Sequence, residues 1–493
     1  MLIRNAATFS SRVVLQLKMA SFSQARRLAS SFELRDTDPA EDQEIGQVPD
    51  LGVDETRQAI DAAAKAFKTW GKTTARERYD FMTKLYHLMS ENNDDLAQIC
   101  TRENGKPMAD SIGEIKYSAS FIEWFAGEAI RDTGDVIPHP MKNIRSVVIK
   151  QPIGVCGIIT PWNFPSAMAG RKLGAALAAG CTVVMKAPAE TPFSMLAMAE
   201  LCERAGIPPG VVNVVTTSKH TKEVGKELCE NKSVKKVTFT GSTGVGKILM
   251  SQSAASLKKL SLELGGNAPF IVFEDADIDA AIEGAIACKF RSSGQTCVCA
   301  NRLFVHSSIY DEFASRLAQK VDSFKVGNGF EKGITHGPLI HSKAVDKTHI
   351  HVEDAKAKGA KVLLGGRKLP DLGRNFYEPT ILTDVQICAI DDEETFGPVA
   401  ALYRFESESE VIQRSNDTDV GLSGYFFSRD IGRIWRVAEA LEVGMVGINT
   451  GLISEASIPF GGVKESGFGR EGSKYGLGDY QVIKYLAMGG LDR

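Results

Sequence analysis

The sequence predicts an α/β protein of two or three domains built on parallel sheets. Three observations predict it. Short β-branched runs alternate with helical patterns from Val155 onward, and such alternation buries a parallel sheet between helices. At 493 residues the chain is too long for one domain of about 150. Its composition, 43% hydrophobic and 24% charged with 46 Gly and 18 Pro, is that of a folded globular chain, not of a collagen-like or disordered one.

Taken in order, the first 32 residues carry Arg4, Arg12, Lys18, Arg26 and Arg27 among many Ser and Ala, and no acid precedes Glu33. That is the composition of a mitochondrial presequence. Residues 1–32 are read as one and the protein as a matrix protein; a start at Met19 would shorten the leader, and a plain tail would leave the protein cytoplasmic. Without the five leader cations the net charge moves from −3 to −8, an acidic balance with no basic patch, unsuited to nucleic acid. No run reaches the roughly 18 apolar residues of a membrane helix. The longest candidate, Gly174–Met185, is rich in small residues and closed off by Lys172 and Lys186. Nine Cys without CxxC or Cys/His spacing argue for a reducing compartment and against a metal site.

Asp54 is placed to cap a helix with Ile60, Ala63, Ala64 and Phe67 on one face. Thr74 and Glu77 form a capping box ahead of Phe81, Met82, Leu85, Leu88 and Met89. Asp132 to Pro152, turned at Pro138 and Pro140, reads as an exposed β-hairpin. With a C-terminal strand near Gln481–Leu486 it is expected to cross a neighbour's sheet in a homodimer or homotetramer, because bare strand edges need partners. Strands follow at Val155–Ile159, Thr182–Met185, Val211–Val215 and Val237–Phe239, with a helix from Thr191-Pro192 to Ala205 among the connections. After Phe270 a second α/β set begins: a helix at Asp277–Lys289, a strand at Arg302–Val305, a helix from Ile309, and strands near Val362 and Val399.

Four segments carry chemistry: Pro161-Trp-Asn-Phe-Pro165, Phe239-Thr-Gly-Ser-Thr-Gly-Val-Gly246, Leu262-Glu-Leu-Gly-Gly-Asn267 and Gly294-Gln-Thr-Cys297. Glu394-Thr-Phe-Gly-Pro398 and Pro459-Phe-Gly-Gly462 join them. In order and spacing they resemble the NAD(P)-dependent aldehyde dehydrogenase superfamily, from about Phe32 to the C-terminus. The resemblance implies a Rossmann-type parallel-sheet cofactor domain (33–131 and 151–262), an α/β catalytic domain (263–448) and a β-hairpin oligomerisation arm (132–150 and 477–493).

Hydride can leave an aldehyde carbon only after a nucleophile has made it tetrahedral, and a thiolate supplies the electron pair. Cys297, in the polar, loop-like stretch Ser292-Ser-Gly-Gln-Thr, is the candidate nucleophile; Cys100, Cys181, Cys202, Cys229 and Cys288 suit buried inert thiols better. Asn163 and the backbone N–H of Cys297 would hold the oxyanion. Glu263, among Leu262, Leu264 and a Gly pair, would be the base that hydrolyses the thioester, its pKa raised by apolar neighbours. The relatives that pass the acyl group to coenzyme A lack this glutamate, so a free acid is the expected product.

For NAD or NADP, the resemblance implies that Gly241, Ser242 and Gly246 hold the pyrophosphate, Lys186 the adenosine ribose and Glu394 the nicotinamide ribose, with Trp162 and Phe396 beside them. Strict NAD users in the family carry Glu three residues after that lysine; here Ala189 stands there and Glu190 follows, which leaves NADP open. Ser166-Ala-Met-Ala-Gly-Arg171, Cys297-Val-Cys299, Gly451-Leu-Ile-Ser454 and Gly469-Arg-Glu-Gly-Ser-Lys-Tyr475 resemble the branch that oxidises succinate semialdehyde in 4-aminobutyrate catabolism. That branch implies Arg171, Arg291 and Ser454 as ligands of the substrate's carboxylate, and Cys297 and Cys299 as an oxidant-sensitive pair. Glutarate semialdehyde or general aliphatic aldehydes are the alternative substrates, and a non-enzymatic protein retaining the fold is the remaining alternative. No metal and no histidine is expected to act. His349 and His351, with His341, are read as solvated groups without a carboxylate partner.

Overall fold

The computed structural model describes residues 32–491, so the leader expected at 1–32 lies, up to Phe32, outside the described residues. A hairpin of β1 (Phe32–Thr37) and β2 (Glu44–Pro49) comes first. The sequence predicts no strand here, because the alternation of Phe32-Glu-Leu-Arg35 is only four residues long and the second strand contains Gly46 and Pro49. Four helices follow: α1 (Val53–Trp70), α2 (Ala75–Glu91), α3 (Asn93–Asn104) and α4 (Met108–Arg131). The α2 capping box forms as predicted, with Thr74 Oγ1 accepting the Glu77 N–H at 3.2 Å and Glu77 accepting the Thr74 N–H at 2.7 Å. At α1 the cap is Gly52, not Asp54. Glu55 accepts the Gly52 N–H at 2.9 Å, and Asp54 sits in the first turn, where a carboxylate suits the helix dipole.

The hairpin strands β3 (Asp135–Ile137) and β4 (Arg145–Pro152) lead into β5 (Val155–Ile159), α5 (Pro165–Ala179), β6 (Thr182–Lys186) and α6 (Pro192–Arg204). Then come β7 (Val212–Val215), α7 (Thr221–Glu230), β8 (Val234–Thr240), α8 (Thr243–Ser253) and β9 (Lys259–Glu263). The second set runs β10 (Ala268–Val272), α9 (Ile278–Lys289), β11 (Ala300–His306), α10 (Tyr310–Asp322), α11 (Ser342–Ala357), β12 (Lys361–Leu364) and β13 (Thr380–Thr383). It continues with α12 (Ala389–Asp392), β14 (Val399–Phe405), α13 (Glu408–Asn416), β15 (Val420–Gly421), β16 (Ser423–Phe427), α14 (Ile431–Ala440) and β17 (Met445–Ile448). The chain closes with β18 (Val463–Lys464), β19 (Gly467–Phe468), α15 (Ser473–Gly478) and β20 (Gln481–Met488).

One sheet has the order β19-β9-β8-β5-β6-β7, parallel except for β19. The second has the order β12-β13-β14-β11-β10-β16-β17, parallel except for β12. Strands β5 and β6 are buried throughout, as expected of parallel strands covered on both faces. Helix α5 is buried along its whole length and close to α4. A Cβ on Gly170 would stand 2.4 Å from Ser118 Oγ, which explains the small residues there. Among the described residues no helix is long and apolar enough to cross a membrane. The arm is a three-stranded antiparallel sheet, β20-β4-β3, in which Val136, Ile137, Ile483 and Tyr485 are exposed.

Candidate active site

Strands β5, β8 and β9 end side by side, with Ile159 opposite Phe239 and Phe239 opposite Leu262. Their carboxyl ends therefore bring together the Pro161–Pro165 turn, Gly241–Ser242 and Glu263. The turn is fixed from below. Lys106 Nζ donates to Asn163 O and to Glu114 Oε2, both at 2.6 Å, and Glu114 Oε1 accepts the N–H groups of Ser166 and Ala167 at 2.9 and 3.2 Å, capping α5. Asn163 Nδ2 reaches across to Gln295 O at 3.0 Å. An amide nitrogen carries two hydrogens, so one stays available at the Cys297 loop.

That loop leaves α9 through three consecutive left-handed residues, Ser292, Ser293 and Gly294, with φ of 49°, 55° and 78°. Gly294 is required, because a Cβ there would lie 2.2 Å from Gly397 O. Ser293 Oγ donates to Gly337 O at 2.8 Å, and Gln295 Oε1 accepts the Ile340 N–H at 2.9 Å. Ser293 and Gln295 thus hold the loop's shape, while the Ser292 and Thr296 hydroxyls are buried without a hydrogen-bond partner among the described residues. Cys297 is half-buried against Val298, Leu422, Phe460, Met445 and Ile453, and its expected polar setting is corrected accordingly. Burial pushes the thiol up to about 12, and Arg171 is the charge that pulls it back. The Cys297 N–H donates to no group among the described residues.

Glu263 is buried. Its Oε2 is ion-paired with Arg171 Nη2, and its Oε1 has no hydrogen-bond partner among the described residues. Burial pushes its carboxyl up to about 8, Arg171 opposing and Glu471 reinforcing the rise. The Arg171 guanidinium is 1% exposed. It also contacts Glu471 Oε2 through Nε, while Lys172 Nζ donates to Glu471 Oε1 and, at 2.6 Å, to Thr240 Oγ1. Arg171, expected as a ligand of the substrate's carboxylate, here has its head group beside two carboxylates of the protein. Lys172 and Glu471 were missed as site members; Glu471 stood within a quoted motif, but nothing local to it signals a partner 299 residues away. Arg291 is half-buried with Cζ 5.1 Å from the Phe164 ring centre, and Ser454 is half-buried next to Ile453 of the Cys297 wall. Cys299 is buried, its N–H donating to Thr296 O at 2.9 Å and its Sγ to Lys289 O at 3.6 Å; all described cysteines are free thiols.

On the cofactor side, Ser242 caps α8 without a side-chain bond, which leaves its hydroxyl and the first helical N–H groups for an anion. Gly246 lies against Leu264, where a Cβ would come within 2.5 Å. A Cβ on Gly265 would stand 3.3 Å from Glu394 Oε2 and 3.4 Å from Thr243 Oγ1. A cradle kept open by glycine thus joins the α8 N-terminus to Glu394, whose carboxyl burial pushes up to about 8. Trp162 meets Phe396 edge-on with ring centres 5.6 Å apart. Lys186 ends β6, buried, with the carboxylates of Glu190 and Asp50 opposing the loss of its proton. Backbone donors at the α8 N-terminus, a lysine and a buried carboxylate fit a dinucleotide.

Two of the histidines differ from expectation and lie within α11, not at a solvated end: His351 is buried, with Nε2 3.5 Å from Glu393 and Nδ1 3.1 Å from Thr395 Oγ1, and His349 faces the Tyr377 hydroxyl. His341 caps α11 by accepting the Ala344 N–H at 3.1 Å. Sequence spacing could not place Glu393 beside them, because it comes from a distant loop. Among the described residues no cluster of His, Cys, Asp and Glu could hold a metal.

The chain is similar to known proteins over almost its whole length. It is 58% identical to a glutarate-semialdehyde dehydrogenase of Pseudomonas putida, over 92% of this chain and 93% of that one. It is 53% identical to the mitochondrial succinate-semialdehyde dehydrogenase of Homo sapiens, over 96% and 89%. The crystal structure of an NADP-dependent enzyme of Escherichia coli, 55% identical, superposes with a TM-score of 0.91 over 92% of this chain and 94% of that one. The profile of the aldehyde dehydrogenase family matches residues 28–486. With that match joined to a Cys297 loop, an Asn163 turn and a buried Glu263 brought to one point, the chain belongs to the aldehyde dehydrogenase family.

Proposed function

We propose that the protein oxidises succinate semialdehyde to succinate with NAD(P)+ in the mitochondrial matrix. The observation that carries the substrate is a pair of arginines on the aromatic borders of the Cys297 wall, Arg171 with Cζ 4.3 Å from the Phe460 ring centre and Arg291 on Phe164. Apolar side chains around Cys297 with guanidiniums near them suit an aldehyde that ends in a carboxylate. Ser454 adds a hydroxyl donor beside that wall.

The chemistry follows from the residues. Cys297 adds to the aldehyde carbon, and the oxyanion is held by the free hydrogen of Asn163 Nδ2 and the unused Cys297 N–H. NAD(P)+, when bound, accepts the hydride; Gly241, Ser242, Gly246, Lys186 and Glu394 would hold it, with Trp162 and Phe396 packed together alongside. A thioester on Cys297 remains. Glu263 then takes a proton from water, the water oxygen bonds to the carbonyl carbon, and the C–S bond breaks with its electron pair on sulfur. Ala189, in place of the glutamate that would repel a 2′-phosphate, supports use of NADP as well as NAD. The basic, acid-free leader supports the matrix location, in keeping with the human relative's name.

An absorbance assay across succinate semialdehyde, glutarate semialdehyde and butanal, each with both cofactors, tests the reading. The highest kcat/KM is expected for succinate semialdehyde. Preference for glutarate semialdehyde, the activity in the Pseudomonas relative's name, would move the assignment to one more carbon, and equal rates on butanal would overturn it.

A further inference from the structure

The same guanidinium that the proposed function assigns to the substrate's carboxylate is occupied by the catalytic base. Glu263 Oε2 is paired with Arg171 Nη2, and its other oxygen has no partner among the described residues. Glu471 differs: its Oε2 makes only an ion-pair contact with Arg171 Nε, without a hydrogen bond, but its Oε1 accepts from Lys172 Nζ and, at 3.4 Å, from Thr238 Oγ1. If Arg171 turns away, Glu471 keeps a cation and Glu263 keeps none. Phe460, which lies under the Arg171 guanidinium, belongs to the wall around Cys297. An acyl chain on Cys297 thus runs beside this arginine.

We propose that Arg171 is a substrate-operated latch on Glu263: the distal carboxylate of the acyl-enzyme takes Arg171 from Glu263 and so frees the base for hydrolysis. The charges favour the exchange. With Glu263 ionised, above a pH of about 8, Glu263, Glu471, Arg171 and Lys172 balance when the site is empty of substrate. A third carboxylate leaves one anion in excess, and in a buried cluster the anion with fewest other contacts is displaced. That anion is Glu263. Its affinity for a proton rises as the cation leaves, so the freed base is stronger but acts only where it is ionised, at a pH above the value near 8 of the paired group. The latch makes Arg171 a specificity-determining residue for turnover as well as binding, because an acyl-enzyme without a carboxylate leaves Glu263 paired. In that exchange no bond is made or broken except the guanidinium's hydrogen bonds; hydrolysis then proceeds as above, with the water proton going to Glu263 and the C–S electron pair to sulfur.

This inference rests on the proposed reading of Arg171 as the carboxylate's ligand, and the test separates the two. p-Nitrophenyl acetate acetylates Cys297 without cofactor, and decay of the isolated acetyl-enzyme is followed by intact mass. Formate supplies the missing carboxylate as a separate piece of a succinyl chain. In the native enzyme saturating formate is expected to speed decay at least fivefold, and formamide or chloride at equal concentration to leave it unchanged. Decay unchanged or slowed by formate overturns the latch. In Arg171→Gln the formate effect is expected to vanish, and persistence of the effect would likewise overturn the latch. The underlying reading is tested on its own by the KM ratio of succinate semialdehyde to butanal in Arg171→Gln. An unchanged ratio removes the carboxylate ligand; a changed ratio with no formate effect in the native enzyme removes only the latch.

Discussion

At the scale of single residues, burial sets Cys297 and Glu263 against the roles proposed for them, and the charge of Arg171 opposes it at both. Cys297 sits in an apolar wall that favours the thiol, so its activation depends on Arg171 and on preorganised oxyanion donors more than on a polar loop. Cys297→Ala is expected to abolish dehydrogenase and esterase activity alike, whereas Glu263→Gln should leave a stoichiometric burst of NAD(P)H followed by slow turnover, seen by stopped-flow absorbance. Glu263 must be ionised to accept a proton. Because its carboxyl is held near 8 and not near its ordinary 4.5, deacylation should rise as pH climbs through about 8 and level off above it, and this rise should be missing in Glu263→Gln. Arg291→Ala should raise KM for succinate semialdehyde about 10- to 100-fold and barely affect butanal, since a charge-assisted bond is worth about 1.5–3 kcal/mol; equal losses would remove Arg291 from the carboxylate site. Cys299 stands two residues from the nucleophile as a buried thiol bonded to Lys289 O. Reversible loss of activity in mild peroxide, restored by dithiothreitol and absent in Cys299→Ala, is expected if the pair closes a strained disulfide. Peptide mass spectrometry showing Cys297 as sulfinic acid beside a free Cys299 would show plain overoxidation instead.

At the scale of elements, the site depends on turns between strands and helices more than on the strands themselves. The left-handed run Ser292–Gly294 aims the Cys297 loop, and its glycine passes against the backbone of Gly397, one residue after Phe396. Gly294→Ala places a methyl where that carbonyl stands and strains φ. It should lower kcat/KM by about 10²-fold, as a displacement near 1 Å does to a positioned nucleophile, with far-UV circular dichroism unchanged. Native-like activity would show that the loop can move aside.

At the scale of the whole molecule, the arm carries Val136, Ile137, Ile483 and Tyr485 in the open on a three-stranded sheet with free edges. Surfaces of this kind are covered in solution. Light scattering at micromolar concentration should give the mass of a dimer or tetramer, and removal of residues 481–491 should shift it towards the monomer. A monomeric mass for the intact chain would discard the assembly.

The sequence by itself determined the α/β class, the α2 capping box, most strands of the first sheet and the hairpin arm, and it named Cys297, Asn163 and Glu263 as the candidate site, because these rest on local periodicity, turn chemistry and motifs a few residues long. The β1–β2 hairpin escaped it because its alternation is only four residues long, and so did Gly52 as the α1 cap. Only the tertiary structure decided what surrounds each candidate group: that Cys297 faces apolar side chains while Ser293 and Gln295 hold the loop, that Arg171 is shared between Glu263 and Glu471, and that His351 lies beside Glu393. Those relations join residues tens to hundreds of positions apart, and burial and charge pairing act through space, where one-dimensional spacing carries no record of them.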